Sequence, residues 1–98
     1  MLVLHGAGVD HREPEACFEP ILEPAGLRRV YPDLPGMGRS SVPAWVRSTD
    51  DVLHLMLDFA HAEFGDDSFL LIGHSWGAYL AQAMAARLAD QVDGLALV

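Results

Sequence analysis

Short apolar runs alternate with longer segments of helical character along this chain, and this alternation constrains the fold more than any other feature. Met1–Leu4, Phe69–Ile72 and Gly94–Val98 consist almost entirely of apolar residues, as do strands buried on both faces of a parallel sheet. Arg29–Tyr31 is a fourth candidate strand. Strands that alternate with helices build layered domains with right-handed crossovers. We therefore predict one α/β domain over residues 1–98, with flanking helices and a mostly parallel sheet of about four strands.

Three segments are predicted to be helices. Pro14–Ala25 is expected to be short and irregular, because prolines interrupt it. Ser48 is a candidate N-cap for the second helix, with Asp51 three residues on, and Gly65 is the expected end of that helix. The third helix is expected over Trp76–Ala89. Helical spacing predicts that the buried stripe of the second helix consists of Val52, Leu55, Met56 and Phe59.

Composition and charge exclude several classes of function. Hydrophobic residues make up 51% of the chain, which is typical of a globular protein and not of a disordered one. Fourteen acidic and six basic side chains give a formal net charge of −8. Because the phosphates of nucleic acids and anionic lipids would be repelled, we expect neither as a partner. Polar residues and glycines interrupt the longest low-charge stretch, so no membrane-spanning segment is predicted.

A single cysteine, Cys17, cannot form an internal disulfide and does not belong to a metal-binding pattern. We expect it to be a small core residue. The first apolar run follows no basic segment, as a signal peptide would require. Cytoplasmic location is therefore expected, and no metal or cofactor is predicted.

The two edge strands of the predicted sheet would leave backbone N–H and C=O groups unpaired, and natural proteins usually shield such edges. We therefore expect the chain to be a fragment of a larger domain. The sequence leaves the oligomeric state open.

The segment Gly73-His74-Ser75-Trp76-Gly77 matches the pattern G-x-S-x-G. An apolar strand precedes it and a helix rich in small residues follows, which is the context of a nucleophile elbow. A serine on such a sharp turn presents its hydroxyl above the sheet edge, and glycines two residues to either side avoid collisions with neighbouring backbone. The alternative is that Ser75 caps the following helix.

Together with two further motifs, this pattern resembles the α/β-hydrolases, in the branch with a serine nucleophile. His5-Gly6-Ala7-Gly8 looks like the family's oxyanion loop, and Asp33–Ser40 looks like its D-x-P-G-x-G-x-S loop. The resemblance implies that Ser75 is the nucleophile and that the backbone N–H groups of Ala7 and Trp76 form the oxyanion hole. It also implies that Gly73 and Gly77 are the elbow glycines.

The resemblance further implies a serine hydrolase that cleaves a small ester, thioester or amide through an acyl-enzyme, without metal or cofactor. Serine at position 75 disfavours the dehalogenase and epoxide-hydrolase branches, which the family builds on aspartate. The family's acid and histidine are expected beyond the last residue, since Asp90 and Asp93 but no histidine follow Ser75. His5 is expected to organise the oxyanion loop, and Asp33 to form a structural turn. The alternative is a non-catalytic binding or interaction protein, or an inert fragment, on the same scaffold.

Overall fold

A three-stranded parallel sheet forms the centre of the computed structural model, which describes residues 1–98. Leu4 at the end of the first strand pairs with Gly73, and Gly73 pairs with Leu97 at the end of the third strand. The carboxyl ends of all three strands therefore lie level at one edge, and the loops that follow them emerge side by side. In spatial order the strands are β1 (Leu2–Leu4), β2 (Phe69–Gly73) and β3 (Val92–Leu97).

The fold class is confirmed, but the sheet has one strand fewer than the four expected. In place of a strand at Arg29–Tyr31, Val30 alone forms an isolated bridge with Leu2 on the free side of β1. The Val30 N–H donates to the Met1 carbonyl at 2.9 Å, and the Val30 carbonyl accepts from the Val3 N–H at 3.0 Å. Because Pro32 follows closely and has no N–H to donate, the pairing stops after one residue.

The first helix, α1, spans Arg12–Leu22 and continues into a 3₁₀ turn over Glu23–Ala25. It begins earlier than predicted and accommodates Pro20 without breaking. Only Pro14 of its residues is buried, and Cys17 is exposed. The expectation that Cys17 is a core residue is therefore wrong, because α1 contributes no residue to the hydrophobic core.

The second helix, α2, spans Thr49–Phe64 and has the predicted ends. The Ser48 hydroxyl accepts from the Asp51 N–H at 3.2 Å, and Gly65 is the C-cap. Its buried face is shifted from the predicted stripe, since Leu55 and Phe59 are only half-buried. The apolar surface of α2 is therefore wider than the area that the rest of the protein covers. The buried residues are Val52, Leu53, Met56, Ala60 and Phe64.

The third helix, α3, spans Trp76–Arg87 and packs against all three strands. The core lies between the sheet and the helices α2 and α3, with Leu34 contributed by a loop. None of the helices has the length and apolar character that a membrane crossing requires. The hydrophobic core side chains that are fully buried and largest include Leu2, Leu4, Leu34, Leu71, Leu80 and Met84.

The start of α3 approaches β1 and β2 so closely that only glycine fits at two positions. A Cβ atom on Gly73 would lie 2.3 Å from the carbonyl oxygen of Gly77. A Cβ atom on Gly77 would lie 2.5 Å from the carbonyl oxygens of both Leu4 and His5. These oxygens belong to backbone in the sheet, the helix and their junctions, so they cannot rotate away as a side chain would. Both glycines are therefore required by packing.

The Asp33 carboxylate organises the loop between Val30 and α2. Its Oδ1 accepts from the backbone N–H of His11 at 2.8 Å and lies 2.7 Å from His11 Nδ1, while its Oδ2 accepts from the Arg39 N–H at 3.0 Å. The Ser40 hydroxyl donates to the carbonyl of Asp33 itself. Asp33 thus joins the start of α1 to the far end of its own loop, as a structural turn residue would.

Hydrogen bonding to the ionised form decides the protonation of Asp33. Burial alone would raise its pKa, but the N–H groups of Arg39 and His11 outweigh burial and lower the pKa from 3.8 to about 2. The side chain is 10% exposed, so solvent replaces little of this bonding.

We predict that Gly77→Ala destabilises the protein by about 1–3 kcal/mol, because the new methyl group forces backbone apart. Gly94→Ala is the matched control, since a Cβ there meets only the flexible end of Leu70, at 3.0 Å. Urea unfolding of both variants measures the difference. Equal midpoints for the two variants would contradict the packing requirement at Gly77.

We also predict a pH-dependent contribution from Asp33. Because its folded pKa of about 2 lies below the ordinary value of 3.8, its stabilisation is present above about pH 4 and is lost as pH falls towards 2. Asp33→Asn should therefore be less stable than wild type at pH 7, and the difference should shrink on acidification. Urea unfolding between pH 7 and pH 3 measures this, with the exposed Asp66→Asn as control. A wild-type advantage that does not change with pH would refute the prediction.

Candidate active site

Ser75 lies in a strained turn where β2 passes into α3. Its backbone angles are φ 57° and ψ −117°, and no other residue except glycine has a positive φ. Such a conformation costs about 1–3 kcal/mol and persists only where its surroundings impose it. Here the Ser75 N–H donates to the Val98 carbonyl at 3.0 Å, and the Ser75 carbonyl accepts from the Ala78 N–H at 2.9 Å. The sheet on one side and α3 on the other therefore hold the turn.

The hydroxyl of Ser75 is free. Ser75 is the N-cap residue of α3, but its side chain makes no capping hydrogen bond and the residue is exposed. The alternative that Ser75 serves as a helix cap therefore has no support in the structure. An exposed hydroxyl at the carboxyl edge of a parallel sheet stands where ligands bind in open α/β folds.

The loop after β1 runs directly against this turn. A Cβ atom built on Gly6 would lie 3.3 Å from the Cβ of Ser75 and 3.5 Å from the carbonyl oxygen of His74. The next residue, Ala7, is exposed, whereas Gly6 is buried. The structure thus brings together the two segments that the sequence motifs predict to share one site.

Two backbone donors in this region have no acceptor within the protein. The N–H of Ala7 makes no hydrogen bond, and neither does the N–H of Trp76. Trp76 is the first residue of α3, where the first N–H groups of a helix lack intrahelical partners and the helix dipole favours negative charge. Negative charge beside Ser75 can therefore be stabilised by backbone N–H groups and the helix dipole, without a charged side chain.

None of the histidines hydrogen-bonds to the Ser75 hydroxyl. His5 is fully buried and uses both ring nitrogens, since Nδ1 lies 2.7 Å from the Gly6 carbonyl and Nε2 accepts from the Leu34 N–H at 2.8 Å. His11 pairs with Asp33. The Nδ1 of His74 lies 3.0 Å from Oε1 of Glu13 in α1, an ion-pair contact without hydrogen-bond geometry. The remaining two are exposed on α2, namely His54 and His61.

The acidic residues after the turn lie at the far end of the sheet. Asp93 follows Val92, which pairs with Phe69 at the beginning of β2, and Asp90 precedes both in the turn after α3. Ser75 stands beyond the other end of β2. Neither carboxylate can therefore orient a base at Ser75.

One group of side chains has the composition of a metal site, with donor atoms of Asp10, His11 and Asp33 within 4.8 Å of one another. The Asp10 carboxylate, however, already accepts from the Arg12 guanidinium at 2.6 Å, which holds the pKa of Asp10 well below its usual range. Asp33 is bound by the N–H groups of His11 and Arg39. These donors are committed to the protein, and the cation of Arg12 would repel a metal ion.

The pairing of His11 with Asp33 and of His74 with Glu13 was not predicted from the sequence. Twenty-two residues separate the first pair and about sixty the second, and no local pattern connects partners so far apart. The sequence shows only that His11 and His74 lie near or within the motifs, and this does not identify their partners.

Comparison with known proteins identifies the family. A model of the alpha/beta hydrolase fold matches residues 1–98. An alpha/beta superfamily hydrolase from Oenococcus oeni PSU-1 superimposes with a TM-score of 0.89 and 37% identity, over 98% of this chain and 36% of that one. A thioesterase domain from the curacin biosynthetic pathway gives a TM-score of 0.82 and 36% identity, over 99% of this chain and 36% of that one.

Among curated proteins, epoxide hydrolase 3 of Siraitia grosvenorii is 34% identical over 76% of this chain and 24% of its own length. The chain thus spans about a quarter to about a third of the length of these relatives. All three are named as hydrolases or as enzymes of hydrolytic type. With its full length matched by the family model and its fold shared with these structures, the chain belongs to the alpha/beta hydrolase fold family.

Proposed function

We propose that the whole protein is a serine hydrolase in which Ser75 is the nucleophile. The observation that carries the proposal is the position of an exposed hydroxyl on a strained turn, next to two backbone N–H groups without acceptors. In this proposal Gly73 and Gly77 are the elbow glycines, because they let the turn lie close against β1.

The reaction would be transfer of an acyl group to water. The Ser75 hydroxyl attacks the carbonyl carbon of a substrate, and its proton passes to a general base. The N–H groups of Ala7 and Trp76 then stabilise the oxyanion of the tetrahedral intermediate. Loss of one such donor typically costs about 2.7–4 kcal/mol of transition-state stabilisation. Collapse of the intermediate breaks the bond to the alcohol, thiol or amine, which leaves with the proton held by the base, and an acyl-enzyme remains on Ser75. Water then cleaves the acyl-enzyme, which releases the carboxylic acid and restores the Ser75 hydroxyl.

Within residues 1–98, no general base and no carboxylate that could orient one lies beside the Ser75 hydroxyl. A serine hydroxyl is a weak nucleophile at neutral pH unless a base accepts its proton. In the family's order the acid and then the histidine follow the nucleophile along the chain. We therefore propose that both come from outside residues 1–98 in the whole protein.

Small carboxylic esters, thioesters or amides are the proposed substrates. A serine hydroxyl forms an ester with an acyl group, which water can subsequently cleave. The likeness to the thioesterase domain supports this class, whereas the likeness to epoxide hydrolase 3 points to another bond. We give the serine at position 75 more weight, because the nucleophile determines which intermediate forms. No metal or organic cofactor takes part in the proposed steps.

A second candidate is a non-catalytic binding protein on the same scaffold. It is favoured by one observation, namely that no histidine contacts the Ser75 hydroxyl. The same anion-accepting hollow would then bind a carboxylate or a carbonyl compound without cleaving it.

Cytoplasmic location stays a prediction that rests on the cysteine content.

We predict that a fluorophosphonate probe labels Ser75 in the complete protein, and that Ser75→Ala abolishes the labelling. The same variant should lower kcat for a p-nitrophenyl ester by about 10⁴-fold or more, because the acyl-enzyme cannot form. Mass spectrometry of the labelled peptide identifies the site.

Ser68→Ala is the matched control, since Ser68 is exposed just before β2 and stands outside the turn. It should keep both labelling and hydrolysis. A folded complete protein without an adduct on Ser75 would favour the binding protein over the enzyme.

A further inference from the structure

A cavity of about 360 Å³ opens beside the turn that carries Ser75, and none of the proposed chemical steps uses it. The first half of α1 forms one wall, and the residues that follow β2 and β3 form the other. Small-molecule sites have volumes of about 300–1,000 Å³, so the cavity has the size of a small site of this kind. The residues that line it are Glu13, Pro14, Cys17, Phe18, His74 and Val98.

Two of the lining residues connect the cavity directly to Ser75. His74 precedes Ser75 in the chain, and the Val98 carbonyl accepts from the Ser75 N–H at 3.0 Å. A Cβ atom built on Gly6 would lie 3.3 Å from the Cβ of Ser75 and 3.6 Å from Nδ1 of His74. The imidazole and the Ser75 side chain therefore flank the same point of the loop after β1. A substrate whose carbonyl carbon lies at the Ser75 hydroxyl has one of its two ends close to the cavity.

The wall that α1 contributes is apolar except for one ion-pair contact. Pro14, Cys17 and Phe18 are spaced i, i+3 and i+4, so they share one face of the helix. Oε1 of Glu13 lies 3.0 Å from Nδ1 of His74, so the carboxylate and the imidazole face each other. This contact also joins the first turn of α1 to the turn after β2, which keeps the wall in position. The surface that the helix offers to a ligand is therefore mainly apolar.

The rest of the protein leaves this apolar surface uncovered. Cys17 is exposed and Phe18 is only half-buried, because both face the open cavity. Removal of apolar surface from water is favourable, so an apolar group gains affinity by entering. A cavity of about 150 Å³ already accommodates benzene, so a group of about six carbon atoms has room here.

We propose that the cavity is a specificity pocket that binds an apolar group of about six carbons on one side of the scissile bond. The inference rests on the proposed function, in which Ser75 is the nucleophile. The acyl chain and the alcohol chain of an ester share this chemistry, and the experiment below distinguishes them. Occupation of the pocket stabilises the transition state relative to the free substrate, so it raises kcat/KM.

Two variants change the size of the pocket in opposite directions. Cys17→Trp fills it with an indole ring, whereas Phe18→Ala enlarges it. Each has a matched control on α1 outside the pocket. Ala16→Trp introduces the same ring at an exposed position, and Leu22→Ala removes a half-buried apolar side chain. A loss of stability alone would affect each variant and its control alike.

The experiment measures kcat/KM of the complete protein for two series of esters. p-Nitrophenyl esters from acetate to decanoate vary the acyl chain, and alkyl acetates from ethyl to octyl vary the alcohol chain. We expect kcat/KM of the wild type to rise about tenfold or more from two carbons to six in one of the series. Cys17→Trp should abolish this rise, and Phe18→Ala should extend it beyond six carbons. Ala16→Trp and Leu22→Ala should keep the wild-type profile.

The inference is overturned if kcat/KM rises in neither series, or if Cys17→Trp keeps the wild-type profile while Ser75 is labelled by the fluorophosphonate. Where Cys17→Trp does not fold, an unchanged profile in Phe18→Ala has the same meaning.

Titration calorimetry of Ser75→Ala with hexanoate and with 1-hexanol gives a readout that does not depend on activity. One of the two should bind, and the addition of Cys17→Trp should abolish the binding. Absence of binding for both compounds would overturn the inference. Absence of labelling on wild-type Ser75, with this binding retained, would overturn the proposed function alone.

Discussion

The close approach of α3 to β1 is the contact on which the rest of the site depends. Backbone meets backbone there, because neither Gly73 nor Gly77 carries a side chain that would hold the segments apart. Where the chain turns from β2 into α3 at this distance, Ser75 takes a positive φ. The strain at Ser75 is thus a consequence of packing. The register of β1 and β2 maintains it, because Leu4 at the end of β1 pairs with Gly73 at the end of β2. An added methyl group would move the helix and relax the turn together.

Buried hydrogen bonds then attach the loops to this rigid edge. The Asp33 carboxylate binds the start of α1 and the end of its own loop, while the His5 ring binds that loop to the segment after β1. Both groups are nearly or fully buried, so each bond forms where water competes little. The loop conformation near Ser75 is therefore set by two side chains, neither of which touches its hydroxyl.

The predictable part of the structure was the part coded by neighbouring residues. The cap at Ser48, the stop at Gly65 and the strand before Ser75 each follow from a few adjacent residues, and all are present. Errors arose where partners distant in sequence decide the outcome. Whether Val30 pairs, whether Leu55 faces the sheet and whether Cys17 is covered all depend on how large a surface the neighbouring element presents. For the same reason the motif glycines could be located, while the bond from His5 to Leu34 could not.

A hollow formed by backbone N–H groups has a consequence for the diversity of this family. Its affinity for negative charge depends on where the backbone runs and not on which side chains surround it. The same stretch of chain can therefore serve reactions on different bonds, provided that each develops negative charge beside the nucleophile. This agrees with the similarity of this chain to proteins named for different reactions, a thioesterase domain and an epoxide hydrolase among them. In the proposed function, the side chain at position 75 would select the intermediate, and groups outside residues 1–98 would supply the proton transfer that completes the reaction.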